Sequence, residues 1–190
     1  AASDVYKRQI KTNATGDMQW NKRYGGSQWD FGYAVVQTGD GGYAIAAGTR
    51  SFGAGGYDFW LIKTYANGNM QWSETYGGTD DEQAHSFVQT CGGYTLAGDT
   101  WSFGVGGADF WLVETDSAGN MQWNKTYGGT EDEETYCVIS TYDGGYLIVG
   151  STFSYGAGYR DAWAVKTDVE DGLAWKNLSP DCVTVYREAF

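Results

Sequence analysis

The chain is 190 residues long, 42% hydrophobic and 17% aromatic, with 29 Gly and a single Pro. That composition excludes a disordered chain, and no apolar run approaches the roughly 18–20 residues needed to span a bilayer. The formal net charge is −12, with no Lys/Arg stripe to offset it, which repels phosphate backbones and argues against nucleic acid as a partner.

The first nine residues, AASDVYKRQ, show no signal peptide. Residues 3–9 resemble a translated sequencing adapter. On that reading residues 1–9 are a non-native leader, the chain is a metagenomic fragment, and its missing N-terminus makes the absent signal peptide uninformative.

From residue 10 onward the sequence repeats itself. NATGDMQWNKRYGG (13–26) returns as ANGNMQWSETYGG (66–78) and SAGNMQWNKTYGG (117–129). Trp20, Trp72, Trp123 and Trp175 stand 52, 51 and 52 residues apart. DFW at 58–60 and 109–111 becomes DAW at 161–163, and DGGYAIAAG (40–48) matches CGGYTLAGD (91–99) and DGGYLIVGS (143–151). Independent markers sharing one period define a repeat protein.

Within a period the alternation has period two. Tyr43, Ile45, Ala47 and Thr49 share one face of a strand, as do Trp60, Ile62 and Thr64. The spacing predicts strands at 34–38, 41–49, 58–64 and 70–76. Inner-strand counterparts follow at 86–90 and 137–141. Asn67-Gly68 and Ala118-Gly119 supply residues tolerant of positive φ for tight hairpins. No stretch sustains a helical period.

Four short antiparallel strands per period of about 50 residues predict an all-β fold of β-propeller-type blades, about three and a half of them, in an incomplete ring. Residues 10–26 are then the outer strands of a truncated blade. Complete blades follow at 27–78 and 79–129, and a blade at 130–186 ends in a divergent strand. Sheet faces left uncovered by neighbours imply missing blades or further copies of the chain as partners.

The run from DGGYAIAAG through a glycine-rich loop to a strand, a turn and a Trp resembles kelch-type blades. DSAGNMQW (116–123) is similar to the turn-and-tryptophan motif of quinoprotein-type propellers, with a turn one residue shorter. The tandem TYGG, DGGY and DFWLVKTD-like elements resemble repeats of large prokaryotic surface and secreted proteins. That resemblance implies an extracellular or cell-surface setting and supplies no chemistry to transfer.

Loops at one end of the blades carry the candidate site. SFGAGGY (51–57), SFGVGGA (102–108) and SYGAGYR (154–160) stand beside GGSQWDF (25–31), GGTDDEQ (77–83) and GGTEDEE (128–134). Asp80, Asp81 and Glu82 align with Glu131, Asp132 and Glu133, and the first repeat reads Gln28, Trp29, Asp30 in the same slots. Clustered carboxylates can hold Ca²⁺ through oxygen ligands, with Asp80, Asp81 and Asp132 the candidates, although the spacing of a dedicated calcium loop is missing. A solvated acidic rim is the simpler reading. Adjacent acids in one setting make a poor glycosidase pair. Trp29, Trp101 and Tyr155 can stack on sugar rings or cap the strand ends.

His85 replaces Tyr33 and Tyr136 of the other repeats and reads as a packing substitution. Cys91, Cys137 and Cys182 show no metal-like spacing, and the sequons at Asn13, Asn124 and Asn177 are compatible with a glycosylated exterior. The sequence therefore points to a non-catalytic binding or adhesion module of a secreted or surface protein. Its ligand would be a polysaccharide or another surface protein, engaged through Trp29, Asp30, Asp80, Asp81, Glu82, Trp101, Glu131, Asp132, Glu133 and Tyr155. The alternatives are part of a carbohydrate-active or quinone-type enzyme, or a structural spacer.

Overall fold

The computed structural model describes residues 7–168. These form thirteen strands and no helix, in four antiparallel sheets. The first sheet pairs β1 (Lys7–Thr12) with β2 (Met18–Tyr24). The second runs through β3 (Asp30–Gln37), β4 (Tyr43–Thr49), β5 (Asp58–Thr64) and β6 (Met70–Tyr76). The third holds β7 (Glu82–Gln89), β8 (Gly93–Thr100), β9 (Asp109–Asp116) and β10 (Met121–Tyr127), and the fourth β11 (Glu133–Ser140), β12 (Tyr146–Thr152) and β13 (Asp161–Thr167). Strand order follows chain order in every sheet.

The second and third sheets thus carry the expected four strands per period. The strand expected around Trp175, the divergent segment after it, Cys182 and the sequon at Asn177 lie outside the described residues. The first strand of each of the last three sheets starts earlier than the sequence pattern suggests, β3 at Asp30 instead of residue 34. A register shift between Gly32 and Ala34 leaves Tyr33 bulged, which breaks the alternation by which a strand is read. His85 and Tyr136 occupy the same bulge in β7 and β11.

Residues 7–9 join the first ladder. Arg8 pairs opposite Arg23, the slot that Trp60 and Trp111 take in later sheets. Its Nε donates to Asn21 at 3.1 Å, just as the Trp111 indole donates to Asn124 at 3.1 Å.

The sheets stack in chain order, β7 against β3, β4 and β5, and β11 against β7, β8 and β9. Alternate residues of a central strand therefore enter different cores. Phe59 and Leu61 pack with Ala84, Phe87, Leu96 and Trp111 of the third sheet. Their neighbours Trp60 and Ile62 pack the other way, with Ile45 and Tyr24. Phe110 and Leu112 meet Val138, Tyr146 and Ile148 of the fourth sheet. Two-sided burial explains why DFWLIKT and DFWLVET read as nearly continuous apolar runs. In the fourth sheet the Phe59/Phe110 slot holds Ala162 and the Leu61/Leu112 slot holds Ala164, both exposed.

A second set of contacts ties each sheet to the hairpin of the next. Trp20 and Trp72 lie over the turn glycines Gly68 and Gly119, leaving no room for a Cβ there. Both glycines have positive φ, 75° and 87°, which also favours glycine. Tyr24 donates its hydroxyl to the Gly68 carbonyl at 2.6 Å, and Tyr76 donates to the Gly119 carbonyl at 2.6 Å.

At the DGGY turns an ion pair recurs. Lys63 reaches Asp40 at 2.7 Å and Lys166 reaches Asp143 at 2.7 Å. The middle repeat changes both partners together, to Cys91 and Glu114. Cys91 is disulfide-bonded there, and Glu114 accepts the Tyr146 hydroxyl at 2.7 Å.

Tyr76→Phe should remove one inter-sheet hydrogen bond while leaving the ring in its core. The expected loss is about 1 kcal/mol, read as a lower urea midpoint with an unchanged m-value.

Candidate functional site

One carboxylate per repeat closes the loop end of each sheet. Asp30, Glu82 and Glu133 open β3, β7 and β11 and are 2%, 0% and 0% exposed. Glu82 accepts Gly78 N–H at 2.7 Å, the Thr100 hydroxyl at 2.9 Å and Ser102 N–H at 3.2 Å. Glu133 repeats this with Gly129 at 2.8 Å, Thr152 at 2.6 Å and Ser154 at 3.2 Å. Asp30 takes Gly26 N–H at 3.0 Å and the Thr49 and Ser51 hydroxyls at 2.5 and 2.9 Å. These three side chains, expected among the ligand-facing groups, are buried and act as internal clamps: carboxyl groups this deep need hydrogen-bond donors, and they have them.

The YGG glycines follow from this clamp. A Cβ on Gly77 would stand 1.8 Å from Asp58 Oδ1 and 2.5 Å from Glu82 Oε2. A Cβ on Gly78 would meet Ser102 Cβ at 2.5 Å. Asp58 and Asp109, each 1% exposed, hold the glycine-rich loops by accepting Ala54 N–H at 2.9 Å and Val105 N–H at 2.7 Å. Burial pushes the Asp58 carboxyl up from 3.8 to about 6, opposed by the Ala54 hydrogen bond and reinforced by the charge of Glu82. Burial likewise raises Asp109, opposed by the Val105 N–H and reinforced by Glu133.

Each glycine-rich loop is also bonded to the acidic loop of the next sheet. Tyr57 N–H donates to Asp81 Oδ1 at 2.8 Å, Glu82 N–H to the Tyr57 carbonyl at 2.6 Å, and Gly56 N–H to the Asp80 carbonyl at 3.2 Å. Ala108 N–H meets Asp132 Oδ1 at 2.9 Å in the second copy of this junction. Asp132 therefore sits at a different junction from Asp80 and Asp81. The three do not converge as a calcium site would require. Among the described residues no group of three or more His, Cys, Asp or Glu is placed to hold a metal ion.

Tyr155 packs its ring on Trp163, centroids 5.3 Å apart, and donates its hydroxyl to the Gly128 carbonyl at 2.9 Å. Phe52 on Trp60 and Phe103 on Trp111 are its counterparts, at 5.3 and 5.2 Å. The strand-capping alternative fits this slot.

Residues that differ between repeats lie on top of this shared frame. Arg50, Trp101 and Phe153 occupy one slot, and Trp29, Asp81 and Asp132 another. A cleft of about 710 Å³ opens between the second and third sheets, lined by Arg50, Gly55, Gly56, Thr79, Asp80, Asp81 and Trp101. Three of the expected ligand-facing residues, Asp80, Asp81 and Trp101, thus come together in one place. Arg50 lies over the Tyr57 ring at 4.9 Å, and Phe31 links Tyr57 to exposed Trp29 with centroids 5.8 Å apart on each side. Glu131 is exposed at the following junction, its N–H donating to Ser154 Oγ at 3.0 Å.

Sequence reading missed three members of this end. Arg50 was masked by the Trp and Phe of its sister slots, and Asp58 by its place in the DFW marker. Asp99 is the third: its carboxylate meets His85 Nε2 at 2.9 Å and accepts Thr135 N–H of the fourth sheet at 2.6 Å. Only the pairing of β7 with β8 brings that partner to the histidine.

No protein-family model matches this chain, and comparison with curated proteins gives no match. Among solved structures, the chain is similar to a protein of unknown function from Bacteroides caccae, with a TM-score of 0.48 and 11% identity. The match covers 75% of this chain and 46% of the other, so this chain spans less than half of that protein's length.

Glu82→Ala should cost about 2–4 kcal/mol, because it strips the acceptor from two backbone N–H groups and a hydroxyl. Exposed Asp80→Ala should stay within about 0.5 kcal/mol of the parent. Urea unfolding of the two variants side by side checks the contrast.

Proposed function

We propose that this chain is a non-catalytic carbohydrate-binding module, its sheets serving as blades of a propeller-like array completed by further blades or copies. The carrying observation is the cleft between the second and third sheets, where Trp101, Arg50, Asp80 and Asp81 converge over a frame that the repeats share. A half-exposed indole offers a flat apolar face for a pyranose ring, while carboxylate and guanidinium groups suit vicinal hydroxyls. The volume fits one or two sugar units. An extracellular or surface setting accords with such a ligand.

The geometry favours binding over hydrolysis. The close carboxylate pair at this end, Asp58 with Glu82, is buried beneath the YGG loop, where a glycosidic oxygen has no path to it. The exposed acids at the cleft are neighbours in one loop, so their surroundings do not set one as acid and the other as base.

Glycan-array screening with and without Ca²⁺ tests the reading. Binding to at least one polysaccharide class is expected, and Trp101→Ala or Arg50→Ala should weaken it at least about tenfold, equivalent to 1.4 kcal/mol, with the urea midpoint unchanged. An array without a binder, or binding insensitive to both substitutions, would overturn it.

A further inference from the structure

Beneath the cleft lies a feature that ligand contact does not explain. Each of the two junctions described above buries two carboxyl groups face to face, Asp58 with Glu82 and Asp109 with Glu133, all at most 1% exposed. At the second junction the point where a Gly128 Cβ would stand is 1.6 Å from Asp109 Oδ1 and 2.4 Å from Glu133 Oε2. The first junction has the same arrangement around Gly77. The partners differ in their surroundings. Glu82 and Glu133 each receive two N–H donors and a hydroxyl. Asp58 and Asp109 each accept one N–H on Oδ2, and Oδ1 faces the glutamate.

The other charged groups nearby are already committed. Asp81 and Asp132 accept Tyr57 N–H and Ala108 N–H. Asp30 is held by Thr49 and Ser51, the Arg50 guanidinium lies on Tyr57, and Lys63 is paired with Asp40 at the far end of β5. Two ionised carboxylates facing each other in a buried site repel, and one proton held between them removes the repulsion.

We propose that Asp58–Glu82 and Asp109–Glu133 are proton-sharing pairs that make both inter-sheet junctions pH-sensitive. Each is tight while the aspartic acid donates its proton to the glutamate, and loosened when that proton leaves to solvent. The sign follows from the raised carboxyls. A group that holds its proton more firmly in the folded chain stabilises the fold fully below its unfolded value, near pH 4. That contribution is lost as pH rises through the folded value, about 6 for Asp58 and above the ordinary carboxyl range for Asp109. Asp40 and Asp143, held low by their lysine partners, act oppositely and only at lower pH.

The test is the unfolding equilibrium in urea from pH 4 to 8 for the parent, Asp58→Asn, Asp109→Asn and the double variant. In the parent the unfolding constant should rise with pH from about 4 by up to about tenfold per unit per pair, levelling off above about 6 for the Asp58 pair. Asparagine keeps the acceptor for Ala54 or Val105 and offers a permanent N–H to the glutamate. Each single variant should therefore reduce the slope, and the double variant should abolish it. A parent profile that is flat or rises in stability across that range overturns the proposal without any variant needing to fold. So does a slope that survives in the double variant. Stabilisation of the parent at pH 7 by added CaCl₂, reversed by EDTA and lost in Asp58→Asn, would also overturn it by showing a cation between the carboxylates.

Discussion

The buried carboxylate that opens each inner strand is the constraint on which this end of the molecule depends. Glu82 bonds to the YGG loop before it, to the threonine that ends β8 and to the serine beyond it, so one side chain fixes two loops and the start of a strand. Burying a carboxyl group that fully is tolerable only when its oxygens are well supplied with donors. That requirement propagates outward. It dictates glycine at 77 and 78, serine at 102 and threonine at 100, and it sets the glycine-rich loop of one sheet against the acidic loop of the next.

Much of the fold was legible because the chain carries its own comparison. Three copies at one period exposed the strands and the hairpin turns, while the two-sided packing of DFW, whose alternate residues serve different cores, emerged only when the sheets were seen stacked. What failed to show were features that alternation hides. The bulges at Tyr33, His85 and Tyr136 interrupt the pattern, so β3, β7 and β11 read as four residues shorter than they are at their N-termini. The paired loss of the Asp40 and Lys63 counterparts at Cys91 and Glu114 became evident only when the strands were laid side by side.

The candidate site was half legible. An acidic stretch suggests solvent, yet GGTDDE alternates between an exposed Asp80, an Asp81 bonded to the neighbouring sheet and a fully buried Glu82. Sequence counts charges without saying which side of a strand start they fall on. Trp101 and Asp80 were found because they stand out from their surroundings. Arg50 was overlooked because a cation in a slot shared with Trp and Phe looks like noise, although the cleft makes it a wall residue.

Separation of frame from ornament has a consequence for how such a chain can change. The slot at Arg50, Trp101 and Phe153, exposed in all three repeats, contributes little to the clamps, the turn staples or the inter-sheet cores. Side chains there can be exchanged among repeats, or drift in successive generations, with the scaffold's stability nearly untouched. Variable surface and foldability therefore occupy different letters of the same repeat. New surfaces can arise by recombining repeats in register, each arriving with its own clamp already built.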